Sequence, residues 1–193
     1  MRAENCRARQ CWHLLDHTYH LSDMRKSIND FNRKSSLVKK GMAVMPLCFG
    51  ISFTNTGLNQ ASALVHVFTD GSVSITTGAV EMGQGVKAKI QTIAARTLTI
   101  PLERIKIECT NTQRIANMSP TAASTGADMN GHAIRMACEA ILGRLIKFIQ
   151  QKQGVDHVLV RNGVFTCKKP HLRLSWESVI QQAYWDRIPL SAH

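Results

Sequence analysis

The apolar positions of this chain follow three kinds of pattern, and each predicts a different element. Over residues 7–37, Trp12, Leu15, Tyr19, Met24, Ile28 and Phe31 recur every three to five positions. That spacing gathers side chains on one face of an α-helix. Lys39, Lys40 and Gly41 close it, with cations and then glycine at its C-terminal end. Residues 42–53 are almost wholly apolar and are interrupted by Pro46 and Gly50, which predicts a buried, irregular strand. Two β-rich runs, 62–69 and 72–77, flank Asp70 and Gly71 and predict a hairpin with a two-residue turn.

The helical period then returns. Ile90, Ile93, Ala94 and Leu98 form the stripe of a helix that opens at Gly85, and Pro101 stops it. Ile105, Ile107 and Cys109 alternate with charged residues, the signature of a half-buried strand over 104–110. Residues 111–131 are rich in Asn, Thr, Ser and Gly and predict one long loop; a loop of that length in a compact domain is usually functional. Ala133, Ala137, Ile141, Leu145 and Phe148 place a second main helix that ends near residue 150. Beyond it, 157–161 and 164–167 flank Asn162 and Gly163 as a second hairpin, and Ser175 caps a short helix reaching Trp185. The sum is an α+β fold: a mixed sheet with β-hairpins packed against two main helices, plus an N-terminal helix. Along the chain it divides into an N-terminal helical segment (1–40), a core (41–155) and a hairpin with a short helix (156–193).

Composition narrows the class. With 193 residues, 44% hydrophobic and 19% charged, the chain has the balance of a folded protein and enough length to bury a core. No run of about 18 apolar residues exists, so no membrane span is expected. The first residues lack the apolar run of a signal peptide, which points to the cytoplasm. The six cysteines, at 6, 11, 48, 109, 138 and 167, include no C-x-x-C pair. They predict free thiols in a reducing compartment, not a disulfide framework, a zinc site or an iron–sulfur site. His13, His17 and His20 fall at i, i+4 and i+7 of the first helix; three histidines can hold zinc, but a solvated face is the better reading.

The net charge of +11 sits at the two ends. Residues 1–50 carry nine Lys/Arg against four Asp/Glu, 51–140 seven against six, and 141–193 eight against three. Basic flanks suit a nucleic acid or an acidic partner surface. The cations are scattered and no set of aromatics interleaves with them, which favours a protein interface over nucleic acid.

Candidate chemistry lies where two loops each lead into a helix: Gly83, Gln84 and Gly85 open the first, and the Ser119–Gly131 run opens the second. A helix N-terminus presents free N–H groups and a positive dipole end, and glycines let backbone approach a ligand closely. Gln84, Ser119, Thr121, Ser124 and Thr125 add neutral donors, and neither loop contains a lysine. These features predict a large, polar, anionic ligand held by backbone and hydroxyl groups. The pattern is not a P-loop, which needs Gly-Lys-Ser/Thr at the helix start, nor the dinucleotide fingerprint, which needs a third glycine.

The order and gaps of several segments carry a resemblance. They are Phe49 to Thr54 (FGISFT), Leu58 to Ala61 (LNQA), Thr69 to Ser72 (TDGS), Val80 to Gly85 (VEMGQG), Ile100-Pro101, Asn117, Ser119 to Ser124 (SPTAAS) and Asp128 to Gly131 (DMNG). Together they resemble the molybdopterin-binding region of the molybdenum hydroxylases, the xanthine dehydrogenase and aldehyde oxidase family. The flanking Cys11-Trp12, Phe31-Asn32, Lys40-Gly41 and Ser175-Trp176-Glu177 are compatible with it.

The resemblance implies roles. Met82, Gly83, Gln84 and Gly85 match one cofactor loop. Thr121, Ala122, Ala123 and Ser124 match a second, with Ala123 nearest the molybdenum. Phe53 and Thr54 match the pair that faces a purine, the ring by packing and the hydroxyl by hydrogen bonding. Glu81 belongs to the cofactor loop. The family's catalytic base is a different glutamate with no counterpart here, and its metal is held by the pterin dithiolene, not by side chains. The implied enzyme carries molybdenum-molybdopterin, [2Fe-2S] clusters and FAD, passes electrons to NAD, pairs with an iron–sulfur/FAD subunit or domain, and is a homo-oligomer. The chain itself is expected to be a fragment, natural or from a broken reading frame, inactive alone. An aldehyde oxidase-type hydroxylase is the rival within the same resemblance.

Overall fold

The computed structural model describes residues 7–45, 47, 53–108, 110–122, 124–168 and 171–193, grouped in two compact units, 1–49 and 50–193.

In the N-terminal unit the single helical pattern becomes two helices, α1 (Ala8–Tyr19) and α2 (Leu21–Lys34). The break is His20, whose backbone is left-handed (φ 50°, ψ 57°) while its N–H still donates to the Asp16 carbonyl. No signal in the hydrophobic pattern marks it, since Tyr19 and Met24 continue the stripe across it. After α2 the chain turns back on its last turn. The Asn32 side chain pairs with Lys40 in both directions, Nδ2 to Lys40 O at 2.9 Å and Lys40 N to Oδ1 at 2.8 Å. The Lys40 ammonium lies 4.1 Å from the Phe31 ring centroid, a cation–π contact. Neither helix has a buried residue.

The expected buried strand over 42–53 is not there in its described part. Residues 42–45 and 47 have no strand geometry, and Met45 and Leu47 are 76% and 70% exposed. No described strand pairs with them, so their backbone groups gain no ladder. Residues 46 and 48–52 lie outside the described residues, Phe49, Gly50, Ile51 and Ser52 of the resemblance among them.

The second unit holds the core. Its four-stranded sheet has the order β3-β2-β1-β7, with β1 Ala63–Val67, β2 Val73–Thr77, β3 Ile105–Ile107 and β7 Ser191–Ala192. β1 pairs antiparallel with β2 and with β7, whereas β2 and β3 run parallel. A parallel pair needs a crossover, and helix α3 (Val86–Leu98) supplies it. In β1, Ala63, Val65 and Val67 are buried while His66 is exposed, the alternation of a one-faced strand.

The long helix α4 (Asp128–Gln153) packs on α3 and β1 and buries Ile134, Ala137, Cys138, Ile141, Leu145, Phe148 and Ile149. It starts earlier than the periodicity predicts, so that Asp128 to Gly131 are helix and not loop. Burial pushes the Cys138 thiol up to about 12, with help from the neighbouring Glu139 charge. The α+β class, the mixed sheet and the packing on two main helices are as the sequence predicts.

The first hairpin differs in its turn. Phe68 N donates to Ser72 O (2.8 Å) and Gly71 N to Phe68 O (2.8 Å), which leaves Thr69, Asp70 and Gly71 as a three-residue loop. Gly71 has φ 82°, the left-handed position such loops require. Asp70 accepts both the N–H and the hydroxyl of Ser72, at 2.9 and 2.6 Å, which holds its carboxyl below the usual range.

The second hairpin is as predicted: β4 (Leu159–Arg161) and β5 (Val164–Cys167) meet across Asn162 (φ 48°) and Gly163 (φ 70°). β6 (Leu172–Ser175) adds a third strand, and Ser175 Oγ caps α5 (Trp176–Trp185) by accepting from Ser178 N at 3.2 Å. Trp176 is 1% exposed; it stacks on Phe165 (6.3 Å between centroids), and its Nε1 donates to Gly71 O at 2.8 Å. Its backbone N–H donates to Gly163 O, so one residue ties both hairpin turns together. Arg144 on α4 donates to Pro189 O and Ser191 O, both at 2.6 Å, and so holds β7 in place.

Candidate functional site

At the end of β2 the chain leaves the sheet and forms the loop that enters α3. Glu81 organises it from within. Its Oε1 accepts from Gly83 N and Gly85 N, each at 2.9 Å, and its Oε2 from Lys87 N at 3.0 Å. These N–H groups, Lys87's first, then Gly85's and Gly83's, hold the Glu81 carboxyl below its ordinary value. The glycines permit the wrap: Gly83 and Gly85 have φ of 99° and 77°. Gln84 closes the outer side, accepting from Met82 N (2.6 Å) and donating to Val80 O (2.8 Å). The sequence suggested that the N–H groups at this helix start are free for a ligand. Those of Gly83, Gly85 and Lys87 are occupied instead, by the chain's own Glu81 carboxylate.

The second loop comes to the first. Thr121 Oγ1 accepts from Val80 N at 3.0 Å, across 41 residues of sequence. Thr110 Oγ1 approaches the carbonyls of Thr77 (3.2 Å) and Ala79 (2.9 Å). Met118 lies over Gly78, where a Cβ would fall 2.4 Å from Met118 Cγ, and Met118 Sδ accepts from Ser62 N. Only glycine fits at 78 without moving that methionine. Below the loops lies a buried polar cluster of Thr77, Thr125 and Asn130, exposed by 2%, 2% and 3%. Thr77 Oγ1 donates to Asn130 Oδ1 (3.1 Å), Asn130 Nδ2 donates to Thr125 O (3.1 Å), and Thr125 Oγ1 donates to Ala122 O (2.7 Å).

Comparison with known proteins decides what this architecture is. The model of the molybdopterin cofactor-binding domain matches residues 14–193. The chain belongs to that family. It is 42% identical to the xanthine dehydrogenase/oxidase of Gallus gallus over 99% of its own length and 13% of that protein's. It is 38% identical to aldehyde oxidase 2 of Macaca fascicularis, over 95% of its own length and 12% of the relative's. The chain thus spans about an eighth of the curated relatives it matches. In fold, it is similar to quinoline 2-oxidoreductase from Pseudomonas putida 86, with a TM-score of 0.61 at 22% identity over 68% of this chain and 18% of that one. The Cu,Mo-CO dehydrogenase gives a TM-score of 0.59 at 22% identity over the same shares.

Within this molybdopterin cofactor-binding domain the two loops named from the sequence are neighbours. Met82, Gly83 and Gln84 are exposed at the rim, Gly85 and Thr121 are half-buried, and Ala122 is exposed. Ser124 is half-buried, and Ala123 lies outside the described residues. Phe53 and Thr54 sit in a separate local structure: Asn59 clasps Phe53, accepting from its N–H at 2.8 Å and donating to its carbonyl at 3.1 Å. Among the described residues no hydrogen bond joins Phe53 or Thr54 to either loop.

The rim chemistry fits a large polar anionic cofactor. One N–H of the Gln84 amide has no partner among the described residues, the Thr121 hydroxyl accepts and so retains its hydrogen to donate, and the charge of Lys87 lies close enough to act on Glu81. No role for Asn130 or Thr77 is legible in the sequence pattern. Among the described residues no group of three His, Cys, Asp or Glu side chains could hold a metal ion, and no helix is long and apolar enough to cross a membrane.

Proposed function

We propose that this chain is part of the molybdenum cofactor-binding region of a xanthine dehydrogenase-like enzyme that hydroxylates purines, hypoxanthine and xanthine to urate, with NAD as final acceptor. The observation that carries the reading is the Val80–Thr121 hydrogen bond, which places the two family-matched loops at one rim. The side chains of Gln84, Thr121 and Ser124 would hold molybdopterin by neutral hydrogen bonds, with Met82, Gly83, Gly85, Ala122 and Ala123 as the loop residues that pack around it. When bound, the cofactor supplies the two-electron carbon-hydroxylation chemistry; the protein positions it. Phe53 would pack on the purine ring and Thr54 would hydrogen-bond its edge. Residues 41–155 form the cofactor-gripping core, with 1–40 as a helical segment and 156–193 as its continuation.

Glu81 is not the base in this reading. Its two oxygens accept three backbone N–H groups. The base, the [2Fe-2S] clusters and the FAD belong to other parts of a cytoplasmic, homo-oligomeric enzyme, and the chain alone is inactive. The likeness to an aldehyde oxidase supports a second reading, an aldehyde oxidase-type hydroxylase with the same cofactor grip.

The test is molybdenum retention in the longer enzyme. Gln84→Ala should lower bound molybdenum per protein while leaving thermal unfolding unchanged. Full retention would remove Gln84 from the site. Steady-state turnover of xanthine against an aromatic aldehyde by the same enzyme separates the two readings.

A further inference from the structure

We propose that Asn130 is a positioning residue that ties the two rim loops together from within the core, so that their mutual approach is fixed before any ligand arrives. The inference rests on the cofactor reading for what the loops hold, but not for the bridge itself. Asn130 is 3% exposed on the first turn of α4. A buried amide is costly unless its donors and acceptors are met. Here each end of the amide serves a different loop. Oδ1 accepts from Thr77 Oγ1, which itself accepts from Ala79 N at 3.2 Å, two residues before Glu81. Nδ2 donates to Thr125 O, and Thr125 Oγ1 donates to Ala122 O. An unbroken run of hydrogen bonds therefore links Ala79 to Ala122 through the buried cluster, while Val80 N to Thr121 Oγ1 closes the circuit at the exposed side. Both loops are tied to one side chain.

The asymmetry of the amide gives the test. Asn130→Asp keeps the shape and the acceptor for Thr77 but sets a second oxygen against the Thr125 carbonyl. Hydrogen–deuterium exchange of the 193-residue chain is followed by mass spectrometry over 79–85 and 119–126. In the unsubstituted protein the hydrogen-bonded amides of Ala79 and Val80 in the first segment and of Thr125 in the second should exchange slowly without cofactor. In Asn130→Asp both segments should accelerate together by about tenfold, the factor expected when a buried hydrogen bond is lost. Ile141→Val, a core truncation on the same helix, serves as a control of comparable thermal destabilisation and should leave both segments unchanged. Acceleration in one loop alone, or an equal effect of Ile141→Val, would overturn the bridge. Should Asn130→Asp not fold, Thr77→Val removes the same link from the other side at nearly constant volume and must loosen both loops. Molybdenum retention is measured separately, on the longer enzyme carrying Gln84→Ala. Coupled protection with full retention upholds the bridge and sinks the cofactor reading; lowered retention without coupled protection does the reverse.

Discussion

Strand β2 is anchored at both ends by a buried side chain from a distant helix, and the two anchors are of opposite kinds. At the turn end, Trp176 of α5 brings a large ring stacked on Phe165 and spends its single N–H on the Gly71 carbonyl. At the loop end, Asn130 of α4 brings a small amide whose value lies wholly in its hydrogen bonds to Thr77 and Thr125. Burying an indole removes a large apolar area from water, and that area dominates its contribution. Burying an amide gains little net free energy but penalises any geometry that leaves it unpaired. The first anchor therefore secures the fold, and the second specifies a shape. The specified end is the one that opens onto the rim.

The largest effect should follow from removing the apolar anchor. Trp176→Ala should cost about 3–5 kcal/mol of unfolding free energy by transfer loss and cavity together, read from the urea midpoint at constant slope. Trp176→Phe keeps most of the ring and strands the Gly71 carbonyl, so its cost should be about 1–2 kcal/mol. If the two substitutions cost the same, the hydrogen bond and not the ring would be the anchor, and the contrast between the ends of β2 would fail.

The same contrast explains what could be read from the sequence. Apolar and turn signals were legible: the α3 stripe, the Asn162-Gly163 turn and the Ser175 cap appear where their residues predict. Polar anchors were not. Asn130 sits in an Asp-Met-Asn-Gly run that reads as loop, because nothing local tells a buried, paired amide from a solvated one. Its partner Thr77 is 53 residues away. The early start of α4 was lost for the same reason. β6 and β7 carry no alternation long enough to stand out, being four and two residues long. His20 carries the helix break with neither glycine nor proline to announce it. At the site, the resemblance named the loop residues, whereas their mutual approach through Thr121 is a property of the fold alone.

At the rim itself a much smaller effect should be visible, in the state of charge of the Glu81 carboxylate. Its three backbone donors hold its pKa below the ordinary 4.5. A carboxyl with a depressed folded pKa stabilises the loop fully above its unfolded value. That stabilisation is lost as pH falls from about the unfolded value through the lower folded one. The amide resonances of Gly83, Gly85 and Lys87 should therefore move together on acidification, with one shared midpoint below 4.5, while global unfolding barely responds. In Glu81→Gln the shared titration should vanish, since the side chain no longer ionises. Amides that titrate separately, or with a midpoint at or above the ordinary value, would show that the carboxylate does not hold the loop. The rim would then be as free of internal constraint as the sequence suggested, and the N-terminus of α3 would again be open to an anion from outside.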